Sequence, residues 1–181
     1  MRLTQDIRSR ILRKAISDLT GKREKSLSDR EIAIADSVWE DVYGHISEDL
    51  VKVPKEVLNT DKDIRVNFDG IGIVYLTMSE ERAVKRGYGV IKSYPSRHKI
   101  ARRYHKLVAD RDRLKKERSE LKTSIRAILD SVTTMNRLGE IWPDGKEFYS
   151  DIVPSESKAL MISSTVVSKM VNKAKREESK I

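Results

Sequence analysis

Apolar residues open the chain at helical spacing. Ile7, Ile11, Leu12, Ala15, Ile16 and Leu19 recur every three or four positions, which marks one buried helix face. Thr4 is placed to cap this helix, with Leu3 before it as a staple residue, and Gly21 is placed to close it. A second helical run starts at Ser28, with Glu31 three residues on at capping-box spacing. Its apolar face is Ile32, Ala35, Val38, Trp39, Val42 and Tyr43, and Gly44 ends it. The pattern predicts two consecutive helices, then a short turn over 47–53 before Pro54.

From residue 63 the period falls to two. The stretches 63–68 and 71–78 flank Asp69-Gly70 and read as two strands joined by a turn. Residues 87–91 read as a third strand. A sheet this small needs a helix across one face, and the two N-terminal helices are the expected cover.

A heptad then dominates the chain. Ile100, Leu107, Leu114, Leu121, Ile128 and Met135 lie seven apart, and so do Tyr104, Arg111, Arg118, Ile125 and Val132. The two sets read as d and a positions of one helix, capped at Ser96 and ending near Val132. Such a helix is roughly 50 Å long. Arg111 and Arg118 both fall at a positions, where a guanidinium needs a carboxylate partner. Thr133 or Thr134 caps a short helix over 135–141, which stops before Trp142-Pro143 because the residue before proline resists helix. Residues 144–154 read as a loop, a last helix starts near Ser157, and the charged end, from about Lys173, reads as a fraying tail. The expected fold is mainly α with a small antiparallel sheet (α+β). Its long central helix forms a helical hairpin or a dimeric coiled coil. The expected divisions are a head, 1–94, and an arm, 95–181.

Charge sharpens this picture. The 181 residues carry a net charge of +9, with 36% charged and 6% aromatic residues. Residues 85–126 alone hold 15 basic and 4 acidic residues, while 28–63 hold 4 basic and 10 acidic. The excess is therefore local to the long helix, with an acidic block to oppose it. The chain has no Cys, which excludes disulfides, thiolate chemistry and Cys-based zinc sites. It has no run of about 18 apolar residues to span a membrane, and its first residues lack the features of a secretory signal. A soluble, cytoplasmic protein is expected.

The opening Met1, Arg2, Leu3, Thr4, Ile7 and Arg8, together with Thr134, Leu138, Ile141, Trp142, Pro143 and Asp144, resemble small tailed-phage proteins of the nucleotide modification associated domain family number five. The resemblance covers the two ends; between them it is one of helical pattern and charge, and Asp144 stands where Glu is more expected. It implies residence in an infected bacterial host and a gene neighbourhood concerned with modified phage DNA bases. It supplies no catalytic residues.

The residues themselves point to binding. Arg97, Lys99, Arg102, Arg103, Lys106, Arg111, Arg113, Lys115, Lys116 and Arg118 could neutralise DNA or RNA phosphates and release counterions. They could instead meet an acidic host or phage protein, or pair with the acidic block of their own chain. Tyr88, Tyr94 and Tyr104 flank this region as candidates for base stacking. Trp39 and Trp142 read as core anchors. The short C-terminal helix covers only part of the heptad seam, which predicts a homodimer. His45, His98 and His105 lack metal-ligand spacing, and Asp69-Gly70-Ile71-Gly72 lacks the third glycine of a dinucleotide loop. The acidic cluster Glu40, Asp41, Glu48 and Asp49 could hold Mg²⁺ with a nucleotide, but such clusters are more often solubilising faces. No catalytic residues, metal or cofactor are expected. Two functions remain: an accessory protein that binds nucleic acid, linked to DNA modification or anti-defence, and a module whose arm binds or inhibits another protein.

Overall fold

A computed structural model describes residues 2–46, 60–79, 84–85, 90–152 and 165–179. The first helix, α1, runs unbroken over Gln5–Tyr43, where the sequence predicted two helices. Gly21 does not end it, because positive φ, which a glycine C-cap requires, occurs among the described residues only at Gly70 and Gly72. A helical glycine costs only about 1 kcal/mol relative to Ala. That cost is outweighed because the buried face continues past it through Leu19, Leu27, Ile34, Ala35 and Val38. Ser28 lies inside the helix and caps nothing. The predicted turn over 47–53 lies outside the described residues.

The chain folds as two compact units: Met1–Lys25 with Arg113–Ile181, and Ser26–Asp112. The sequence alone had suggested a boundary near residue 94. Helix α1 and the long helix α2, Lys99–Ser131, each contribute to both units.

In the Ser26–Asp112 unit, strand β2 (Asp63–Phe68) pairs antiparallel with β3 (Gly72–Thr77). Their turn uses Gly70 at φ +82° and Gly72 at φ +97°, conformations that glycine adopts without steric cost. A two-residue pair, β1 (Thr60–Asp61) with β4 (Val84–Lys85), is separate. The third strand of the main sheet, β5, is Lys92–Tyr94, and it runs parallel to β2. The sheet is therefore mixed, in the order β3-β2-β5, not purely antiparallel. The connection 78–91 is long enough to return the chain to the far side of β2 in the same direction. Of the predicted strand 87–91, residues 87–89 lie outside the described residues, and pairing extends instead to Tyr94. Ile64, Val66, Phe68, Leu76, Met78 and Tyr94 are buried. Phe68 stacks on Tyr104 of α2 at 4.5 Å and on Tyr94 at 5.8 Å. Asp36 of α1 accepts from Ser79 N–H at 3.0 Å. Both long helices thus serve this sheet.

In the other unit, Ile11, Ala15, Ile16 and Leu19 of α1 form one core with Leu121, Ile125, Ile128 and Leu129 of α2. Helix α3 (Met135–Ile141) is capped by Thr134, as expected. The predicted loop is instead a 3-10 turn, Pro143–Gly145, followed by one turn of helix, α4, Lys146–Tyr149. The last helix, α5, is Thr165–Glu178, with Val171 and Ala174 buried; its predicted start near Ser157 lies outside the described residues. The end predicted to fray is helical through Glu178 because that residue is buried and anchored.

Candidate nucleic-acid interface

The long helix sorts its own cations. Both a-position arginines are paired with carboxylates of α1: Arg111 grips Glu31 through two bonds of 2.9 and 2.6 Å, and Arg118 pairs with Glu24. The bonds to Glu31 outweigh burial and push the Arg111 pKa up. Arg30 of α1 bonds Asp110 at 2.9 Å. The d residues Leu107, Leu114 and Leu121 are buried within the chain. These d residues are covered within the chain, Leu121 in one core with Ile11, Ala15, Ile16 and Leu19 of α1, and α1 supplies the counter-charges of both arginines.

Arg97, Lys99, Arg102, Arg103, Lys106, Arg113, Lys115 and Lys116 are all exposed. Within the Ser26–Asp112 unit, Lys99, Arg102, Arg103 and Lys106 stand at i, i+3, i+4 and i+7 on α2, which places them along one helix face. Arg103 donates to Ser37 Oγ at 2.9 Å. Among the described residues, Lys99, Arg102 and Lys106 form no ion pair. In the other unit, Ser119, Lys122, Thr123 and Arg126 of α2 line a shallow concavity of about 450 Å³.

The tyrosine candidates fare differently. Tyr88 lies outside the described residues. Tyr94 and Tyr104 are 2% and 6% exposed, so neither ring presents a free face for stacking. Tyr94 donates to Asp41 Oδ2 at 2.7 Å, and Lys92 Nζ reaches the same oxygen at 2.6 Å. These bonds hold the Asp41 carboxyl below its usual range. Burial and the Asp41 bond push the Tyr94 hydroxyl far up. This is a charge-satisfied structural cluster, since its acceptor already takes two donors. Among the described residues the exposed tyrosine is Tyr75, 65% exposed on β3, which was not among the sequence candidates. Its signal was present in the alternation of 73–76, which sends Leu76 inward and Tyr75 outward.

The two sequence motifs behind the family resemblance meet in space. Leu3 N–H donates to the Thr133 carbonyl at 2.8 Å, Arg2 bridges Thr134, and Arg8 Nη2 reaches the Val132 carbonyl at 2.7 Å. The model of nucleotide modification associated domain 5 matches residues 2–172. The chain belongs to that family. No curated protein and no solved structure matches it. In this member of the family, the Trp-Pro motif is a packing joint. Trp142 is fully buried against Phe148 and Tyr149, and the Tyr149 hydroxyl donates to the Trp142 carbonyl at 3.1 Å. Gly145 lies flat on the indole, where an added Cβ would come within 2.3 Å of ring carbons. In this chain these two segments pack as a scaffold.

Among the described residues, no group of three His, Asp or Glu is placed to hold a metal ion. No described helix is long and apolar enough to cross a membrane.

Proposed function

We propose that this protein binds nucleic acid electrostatically through the exposed face of α2, as an accessory of DNA modification in phage-infected bacteria. The observation that carries this reading is the sorting of charge on one helix. Arg111 and Arg118 are neutralised by α1, while Lys99, Arg102 and Lys106 project from an exposed face without carboxylate partners among the described residues. A face of unpaired cations at helical spacing fits a phosphate backbone and predicts binding with little sequence preference. Membership of a family associated with nucleotide modification agrees with a nucleic-acid target. The alternative is a module whose arm binds or inhibits a host or phage protein.

The test is an anisotropy titration with labelled DNA and RNA across a salt series. Each phosphate contact contributes a slope of about −0.7 to −0.9 in log K against log salt. The triple variant Lys99→Ser/Arg102→Ser/Lys106→Ser should flatten the slope by about 2 to 3. No binding at about 50 mM salt, or a slope unchanged by the variant, sinks the proposal.

A further inference from the structure

The hollow on α2 in the unit of Met1–Lys25 and Arg113–Ile181 holds two cations without counter-charges. Ser119, Lys122, Thr123, Arg126, Ala127 and Asp130 line it, with a volume of about 450 Å³. Lys122 and Arg126 stand at i and i+4, where like charges on a helix repel and cost stability. Such a pair is ordinarily relieved by a carboxylate three or four residues away. Lys122 has none, since those positions hold Arg118, Ser119, Ile125 and Arg126. Glu120, two residues off, faces another side of the helix. Arg126 has Asp130 four residues on, but Arg8 of α1 draws that carboxylate. Its Nη1 lies 3.7 Å from Asp130 Oδ1, while its Nη2 donates to the Val132 carbonyl at 2.7 Å. Among the described residues, Lys122 and Arg126 therefore form no ion pair.

The remaining lining groups narrow the ligand. The Thr123 hydroxyl donates to the Ser119 carbonyl at 2.9 Å, so its hydrogen is spent and the Ser119 hydroxyl is the one left to donate. A guanidinium fork, an ammonium and a hydroxyl donor match a phosphate group. The fork takes two oxygens, the ammonium acts as a point charge, and the hydroxyl takes a further oxygen. A carboxylate has one charge and two oxygens to offer, whereas a phosphate ester carries up to two charges and three acceptor oxygens. The volume falls in the range of small-ligand sites, roughly 300–1,000 Å³, and so leaves room for the sugar attached to the phosphate.

We propose that this hollow is a phosphate site, with the phosphate held between Lys122 and Arg126 and Ser119 Oγ as a third donor. It is separate from Lys99, Arg102 and Lys106 of the Ser26–Asp112 unit. The same chemistry comes from two sources, a nucleic-acid backbone and a small phosphate ester. The full chain is titrated with inorganic phosphate and thymidine monophosphate, followed by amide chemical shifts with sodium chloride as the ionic-strength control. A labelled DNA duplex is titrated by anisotropy across a salt series. Wild type is compared with Lys122→Gln/Arg126→Gln and with the Lys99/Arg102/Lys106 triple variant. Small phosphates should shift the amides of 119–127 saturably in wild type and in the triple variant, and the double variant should weaken that binding about ten- to a hundred-fold. If the double variant also flattens the duplex salt slope by about 2, the backbone is an occupant; if the slope is unchanged, the occupant is the small ester. The proposal is overturned when the double variant changes neither small-phosphate binding nor the duplex slope, or when chloride alone reproduces the shifts and the slope is unchanged. In that case duplex binding lost by the triple variant leaves the α2 reading standing. A saturable hollow in a protein that binds no duplex has the opposite meaning: the phosphate site stands and the α2 reading falls. The double variant should melt no lower than wild type, because it removes a repulsion. A lower melting temperature would show that the two cations are partnered in the fold and would overturn the proposal.

Discussion

Replacing Arg23 with Met should be the most damaging single change to the unit built from Met1–Lys25 and Arg113–Ile181. The Arg23 side chain is 11% exposed and meets three carboxylates: Glu117 at 2.9 Å, Glu177 at 2.9 Å and Glu178 at 3.1 Å. It also donates to the Leu19 carbonyl at 3.0 Å. Burial opposes its charge, but the bonds to Glu117 and Glu178 prevail and the pKa moves up. The Glu178 side chain is 7% exposed, and its Oε2 is buried without a partner. Removing the guanidinium leaves two mostly buried carboxylates facing each other. Breaking a buried pair from one side costs about 3–5 kcal/mol. The half-exposed Arg118–Glu24 pair is worth at most about 1 kcal/mol. At about 2–4 °C per kcal/mol for a chain of this size, Arg23→Met should lower Tm by about 6–20 °C, and Arg118→Met by no more than about 4 °C. Thermal unfolding followed by circular dichroism measures both. Adding Glu117→Gln to Arg23→Met should recover part of the loss, because it removes one of the stranded charges. Equal small shifts for the two arginine variants, with no recovery in the double variant, would refute the claim that Arg23 organises this unit.

Two further outcomes follow from packing and from burial of hydroxyls. Gly145→Ala should cost about 1–3 kcal/mol and shift Trp142 fluorescence. Gly139→Ala, whose added Cβ meets only the Tyr149 hydroxyl at 3.8 Å, should be neutral or stabilising by about 0.5–1 kcal/mol. Equal melting temperatures for the two variants would contradict the Trp142 packing. Burial pushes the Tyr94, Tyr104 and Tyr149 hydroxyls above the ordinary value of 10.0. The native state then holds protons that the unfolded chain releases, so this stability is complete below pH 10 and lost as pH rises further. Phenolate absorbance should rise together with loss of helix above pH 10. Ionisation of all three near pH 10 with the helix intact would contradict their burial.

The long helix was legible because a heptad is a repeated signal over five turns of the pattern. Its partner was not, since Glu24 and Glu31 carry no mark saying which arginine they face. The acidic block around 28–63 was visible as a sum of charges, and only folding turned part of that sum into specific pairs. Gly21 and Ser28 misled for the opposite reason. Each is a valid local stop signal, yet burial of Leu19 and Leu27 on one continuous face overrides both. The tyrosines show the same limit of local reading. Tyr104 sits amid cations in the sequence but lies at a heptad position, and that position buries it on Phe68. Tyr75 has few charged neighbours and was overlooked, although strand alternation already placed it outward.

The joint between Leu3 and Thr133 has a consequence for how the protein is made. The Ser26–Asp112 unit is one continuous stretch, whereas its companion needs residues from both ends of the chain. On a ribosome adding about 5–20 residues per second, the opening segment waits roughly 7–26 s for the helical segment that completes its core. Through that interval Ile11, Ala15 and Leu19 form an amphipathic helix with nothing to cover it. The Ser26–Asp112 stretch can fold first, and Met1–Lys25 is among the last segments to find its place. Nascent chains should therefore depend on chaperones over Met1–Lys25, and truncation before Arg113 should expose that segment.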